Sequence, residues 1–78
     1  MIQATAAVYP LGDAPGAIEA AIEAVAASGV TYEVRPMQTE LRGEPDAVFA
    51  AIRAAFDAAA ARGGVVMTVT ISNACPLP

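Results

Sequence analysis

Few side chains in this chain could do chemistry, and those few suit ligand contacts or plain structural roles rather than catalysis. Tyr9, Thr39, Ser72 and Asn73 carry neutral hydrogen-bonding groups, Cys75 is the single thiol, and histidine and lysine are absent. Neutral hydroxyls and amides can match the donors and acceptors of a polar ligand, but they lack the near-neutral pKa that acid–base catalysis at physiological pH requires. Without histidine, His-based acid–base or triad catalysis is excluded. One thiol gives no internal disulfide, and with no histidine beside it a structural zinc site has no ligand set. Cys75 stands next to Pro76 with no activating base or cation in view, so it reads as an unreactive thiol. Four arginines against eight carboxylates give a net charge of −4. Nucleic-acid binding and polybasic membrane attachment both need a positive field and are excluded on that ground.

Two positions stand out by their place in the pattern. Thr39 falls on the side of its strand that should face the interior, where a hydroxyl must find a backbone or ligand partner. Tyr9 ends the first strand beside Pro10 and Leu11, where it either packs as a rim residue or caps an apolar slot and offers its hydroxyl. Ser72 and Asn73 end the last strand, as ordinary turn residues or as short polar contacts near a sheet end.

The elements that must position these groups follow from periodicity. Ile2 to Tyr9 reads as a strand with Ile2, Ala4, Ala6 and Val8 inward. Pro10 to Gly16 is a turn-rich stretch. Asp13 is the expected N-cap of a helix from about Ala14 to Ser28, buried along Ile18, Ile22 and Val25 and ended by Gly29. Thr31–Pro36 and Gln38–Gly43 read as a hairpin around Met37-Gln38, which would set Arg35 against Glu40, Val34 against Leu41 and Glu33 against Arg42. Glu44, Pro45 and Asp46 open a second helix to about Arg62, with Phe49, Ile52 and Phe56 as its apolar stripe and Val48 and Ala59 flanking it. Val65 to Ser72 is the last strand, and Asn73 to Pro78 is turn or coil.

Strand, helix, strand, strand, helix, strand with right-handed crossovers is a ferredoxin-like α+β plan: a four-stranded antiparallel sheet with two helices on one face, in one domain over residues 1–78. The open sheet face should carry Thr5, Ala7, Glu33, Arg35, Glu40, Arg42, Thr68 and Thr70. Of the 44 hydrophobic residues 20 are alanine, while Val, Ile, Leu and Phe number 18. Burial gains scale with apolar area, so this interior is thin for its length. Association into a dimer or tetramer through the sheet faces is expected. Ala4 and Ala6 beneath the helices allow either close packing or a fissure wide enough for a flat ring. With no leader and no long apolar run, a cytoplasmic location is expected.

Several strings then matter together: Tyr9-Pro10-Leu11; Thr39, Leu41-Arg42-Gly43, Asp46 and Val48-Phe49; Val66-Met67-Thr68; and Ser72-Asn73-Ala74-Cys75-Pro76. In this order and spacing the chain resembles the thiamine/hydroxymethylpyrimidine-binding family of the ferredoxin-like fold, nearest the branch that occurs as tandem repeats. The resemblance implies non-enzymatic binding of thiamine or its hydroxymethylpyrimidine moiety in a fissure between sheet and helices, linked to thiamine transport or salvage, with units associating through their sheets. The chain departs from that pattern in three ways. It is a single unit, it has Ala4 and Ala6 where similar sequences carry larger residues, and it has Arg42 where other branches favour an acid. The expected contacts are Tyr9, Thr39, Ser72 and Asn73 for polar groups, with Phe49 and Met67 as the apolar wall. A ligand-free or amino-acid-responsive regulatory domain of the same fold is the alternative. An acylphosphatase-type hydrolase would need an arginine in the turn Leu11-Gly12-Asp13-Ala14-Pro15, which has none, and RNA recognition would need aromatics at the sheet centre.

Overall fold

A computed structural model describes residues 1–74; the turn or coil expected over 75–78, and Cys75 with it, lie outside the described residues. The element order is β1 (Ile2–Pro10), α1 (Ala17–Ser28), β2 (Thr31–Val34), β3 (Thr39–Gly43), α2 (Pro45–Ala60) and β4 (Val65–Ser72). The strands form one antiparallel sheet in the order β2-β3-β1-β4. Two crossovers carry both helices over one face, giving the ferredoxin-like fold. Among the described residues no helix is long and apolar enough to cross a membrane.

Ladder parity assigns the faces. Ala4 pairs with Leu41 and Ile71, and Ala6 with Thr39 and Val69, which puts these residues on the helix side. Thr5 pairs with Glu40 and Thr70, and Ala7 with Thr68, which puts these on the open side. Leu41 and Val48 are the largest fully buried side chains, and seven of the eleven buried hydrophobic residues are alanine. The helices pack mainly on each other through those small residues, which allow close approach.

Three local expectations are corrected. First, α1 starts at Ala17 rather than Ala14, and its N-cap is Gly16 rather than Asp13. Gly16 sits at φ 75, outside the right-handed helical region, so the helix cannot extend back through it. Ala14 instead turns into the core, its carbonyl accepting from the Ala17 amide at 3.3 Å. Second, the buried stripes are the alanine-rich ones: Ala17, Ala21 and Val25 on α1, and Val48, Ala51, Ala55 and Ala59 on α2. Ile18, Phe49 and Phe56 are exposed, while Ile22 and Ile52 are half-buried. Third, the hairpin turns at Pro36-Met37, one residue earlier than expected, and its strands stop at Val34 and restart at Thr39. Arg35 and Gln38 close the turn through two backbone hydrogen bonds, Arg35 N–H to the Gln38 carbonyl at 2.8 Å and Gln38 N–H to the Arg35 carbonyl at 3.3 Å. Glu33 therefore faces Glu40, Val34 faces Thr39 and Tyr32 faces Leu41. Two carboxylates side by side would repel, but the Arg35 guanidinium reaches both, Glu33 Oε2 at 3.0 Å and Glu40 Oε2 at 3.0 Å.

Candidate functional site

A half-open cleft of about 690 Å³ lies on the helix side, between α1 and the β2–β3 hairpin. Its size falls in the ~300–1,000 Å³ range of small-molecule sites. Residues 6–10 of β1 form its floor with Met67 of β4; Ile18, Ala21, Ile22 and Val25 of α1 form one wall; Val34, the turn 35–38 and Thr39 form the other, with Ala55 of α2 behind. The cleft exists because the packing residues around it are short. Ala6 on the floor, with Ala21 and Ala55 on the helices, leaves space that larger side chains would fill. Ile18 and Ile22 stay partly exposed because they border this space rather than the helix–helix seam.

The lining is apolar, with polar residues at Tyr9, Arg35, Gln38 and Thr39, of which Arg35 turns its guanidinium to the open sheet face. Arg35 is already engaged by Glu33 and Glu40. The side-chain hydrogen bonds among the described residues use Ser28, Arg35, Glu40 and Ser72, and none uses Tyr9, Gln38 or Thr39. These three groups are therefore open to a ligand. Thr39 lies inward between Val34 and Ala6 on the ladder, so its hydroxyl is held on rigid strand. Tyr9 borders the cleft from the end of β1, although its register with Val66 gives its ring the open-face parity. It contributes at the rim rather than on the floor.

Of the six residues singled out from the sequence, the cleft brings together Tyr9, Thr39 and Met67. It does not include Phe49, Ser72 or Asn73. Phe49 projects from the flank of α2 that leaves the core, about 100° of helical rotation from buried Val48. Ser72 is five residues beyond Met67, roughly 16 Å along the strand. Its Oγ accepts from the Ala74 amide at 3.0 Å, which is turn chemistry, and Asn73 lies in that turn. The sequence reading missed Gln38, which the corrected turn moves to the cleft lip beside Thr39, and Ile18 and Ile22 as cleft wall. The available signal was two isoleucines at i, i+4 beside the small residues Ala17 and Ala21. Among the described residues no group of three His, Cys, Asp or Glu converges to hold a metal.

A comparison with curated proteins finds no match. Among solved structures, the chain is similar to a domain of unknown function, DUF77, from Bacillus cereus, with 30% identity, 91% of this chain and 73% of that one covered, and a TM-score of 0.78. A protein of Streptococcus pneumoniae is 25% identical over 91% of this chain and 83% of its own, with a TM-score of 0.84. A Thermotoga maritima protein proposed to act in thiamine biosynthesis or salvage shares the fold at 22% identity, over 90% of this chain and 80% of that one, with a TM-score of 0.77. A family model matches residues 1–77, and by that match the chain belongs to the YKOF-related family.

Proposed function

We propose that the cleft binds thiamine or its hydroxymethylpyrimidine half without chemical conversion, in thiamine transport or salvage. The observation that carries this reading is an apolar slot whose polar side chains at Tyr9, Gln38 and Thr39 have no partner among the described residues. An aminopyrimidine is flat and presents adjacent donors and acceptors, which a hydroxyl and an amide on neighbouring residues can meet, while its faces rest on Ile22, Val25 and Met67. The fold shared with the Thermotoga maritima protein supports the same ligand class. The net charge of −4 gives a weak long-range attraction for a thiazolium cation.

Calorimetric titration with thiamine and with hydroxymethylpyrimidine tests the reading, and saturable binding of at least one is expected. A ligand present at 100 times its Kd should also add about 2.7 kcal/mol of stability, seen as a rise in Tm. No heat and no Tm shift with either compound at millimolar concentration would overturn it. Thr39→Val keeps the shape and removes one hydroxyl, so affinity should fall roughly fivefold, the worth of about 1 kcal/mol for one hydrogen bond, with the fold intact by circular dichroism. Unchanged affinity would remove Thr39 from the contact set. Thiamine phosphate should bind more weakly than thiamine, because Arg35, the cationic residue bordering the cleft, turns its guanidinium to the open sheet face and is held there by two carboxylates. Equal or tighter binding of the phosphate in the same titration would contradict that placement.

A further inference from the structure

With the cleft as the proposed binding site, we infer that Arg35 is its positioning residue: from the open face of the sheet it holds the hairpin lip that walls the cleft on the helix side. The backbone of Arg35 belongs to that lip, where it exchanges two hydrogen bonds with Gln38 across the turn. Its guanidinium lies on the opposite face, with Nη2 3.0 Å from Glu33 Oε2 and Nε 3.0 Å from Glu40 Oε2. One residue thus touches both sides of the hairpin.

The two strands of the hairpin are not equally anchored. β3 pairs with β1 from Thr39 to Gly43, so Thr39 is fixed from the interior of the sheet. β2 is a four-residue edge strand, exposed throughout and paired with β3 alone. Its last residue, Val34, and the turn 35–38 form the outer cleft wall. Val34 and Met37 are 49% and 77% exposed, so packing does little to hold that wall. Backbone bonding has a gap at the same place. Arg35 and Gln38 are a bonded pair, and bonded and non-bonded pairs alternate along an antiparallel ladder, which makes Val34–Thr39 a non-bonded rung. The rung beyond it sets Glu33 directly against Glu40, two carboxylates whose repulsion pushes β2 away from β3. The Arg35 guanidinium offsets that repulsion and ties the lip to the anchored strand. Exposed ion pairs contribute little, but the Glu40 side chain is only 16% exposed, and its contact with Arg35 Nε is also a hydrogen bond. Loss of this cation should let the Val34 side of the cleft splay from Thr39, so ligand affinity falls although the guanidinium touches no ligand.

Calorimetric titration with hydroxymethylpyrimidine and with thiamine separates the outcomes. Arg35→Met should weaken the tighter of the two by roughly fivefold or more. Adding Glu33→Gln to Arg35→Met should recover most of that loss, because the opposed carboxylates are gone; a side chain that merely filled space would not be rescued by a change at its neighbour. Arg53→Met, which breaks the exposed pair with Asp57 on α2, should leave affinity unchanged. If the unmodified chain binds and Arg35→Met binds equally well, the inference is overturned and the cleft reading stands. A loss that Glu33→Gln does not relieve overturns it too. Absence of binding by the unmodified chain overturns the cleft reading instead, and hydrogen exchange without ligand then decides whether Arg35 holds the lip. The backbone amides at 35 and 38 should exchange roughly fivefold faster in Arg35→Met and slow again in the double variant. Unchanged exchange refutes the positioning role. Should Arg35→Met lose its far-UV dichroism, Arg35→Gln, which removes the charge and keeps a polar side chain, takes its place in both measurements.

Discussion

Leu41→Ala should destabilise the fold by about 3 kcal/mol, the middle of the range for deleting a buried leucine side chain. Leu41 is fully buried at the centre of β3, flanked on the ladder by Ala4 and Tyr32. Its neighbours across the core are mostly alanines, whose methyl groups cannot swing into the void, so the site relaxes little and the cavity term stays large. A domain of this length holds roughly 4–12 kcal/mol in total. The loss is therefore a large share of the whole, and at the low end it leaves the variant partly unfolded at 37 °C. Urea unfolding of Leu41→Ala beside Ile18→Ala checks it. The first should lower the midpoint strongly with a similar slope, and the second, on the exposed cleft wall, should shift it by less than about 1 kcal/mol. Comparable shifts in the two variants would show that the core is not centred on Leu41.

Gly63→Ala should be similarly damaging, by about 2–4 kcal/mol, through the backbone. Gly63 sits at φ 146, a region that side chains disfavour. An added Cβ would lie 2.8 Å from the Asp13 carbonyl oxygen and 3.0 Å from the Ala14 Cβ. Both obstacles belong to the loop entering α1, and Ala14 is itself buried, so relief requires moving the loop out of the core. Gly12→Ala is the matched control. Gly12 is also at positive φ, at 60, but nothing lies within 4 Å of its added Cβ, so it should cost about 1 kcal/mol. Thermal denaturation of the two variants separates steric conflict from backbone strain. Equal Tm losses would mean that the contact with Asp13 and Ala14 is unimportant.

The element order was readable from the sequence because Gly29, Pro45 and Gly63-Gly64 punctuate it and β4 alternates cleanly. What failed was the choice of buried stripe. Hydrophobicity favours Ile18, Phe49 and Phe56 for the core, yet two helices that must approach closely turn their smallest residues together. That preference is a tertiary effect and leaves no mark on local periodicity. The hairpin register failed for a related reason. Direct pairing of opposite charges is only partial evidence for a register, because a long arginine side chain can serve two carboxylates from the next position, as Arg35 does for Glu33 and Glu40. The same error hid Gln38 from the candidate site. Thr39 and Met67 line the cleft because strand parity alone places them inward. Phe49 lies away from the cleft with its stripe, and Ser72 and Asn73 do so because the cleft occupies the other end of the sheet.

The alanine seam between α1 and α2 also bears on how the molecule responds to temperature. An alanine has no rotamers to freeze, so the seam forms with little loss of side-chain disorder. By the same token, melting it wets little new hydrocarbon, and the heat-capacity increment of unfolding, which follows that area, is small for a chain of this length. A small increment flattens the stability dome, so the fold should weaken gradually on both warming and chilling rather than peak sharply near ambient conditions.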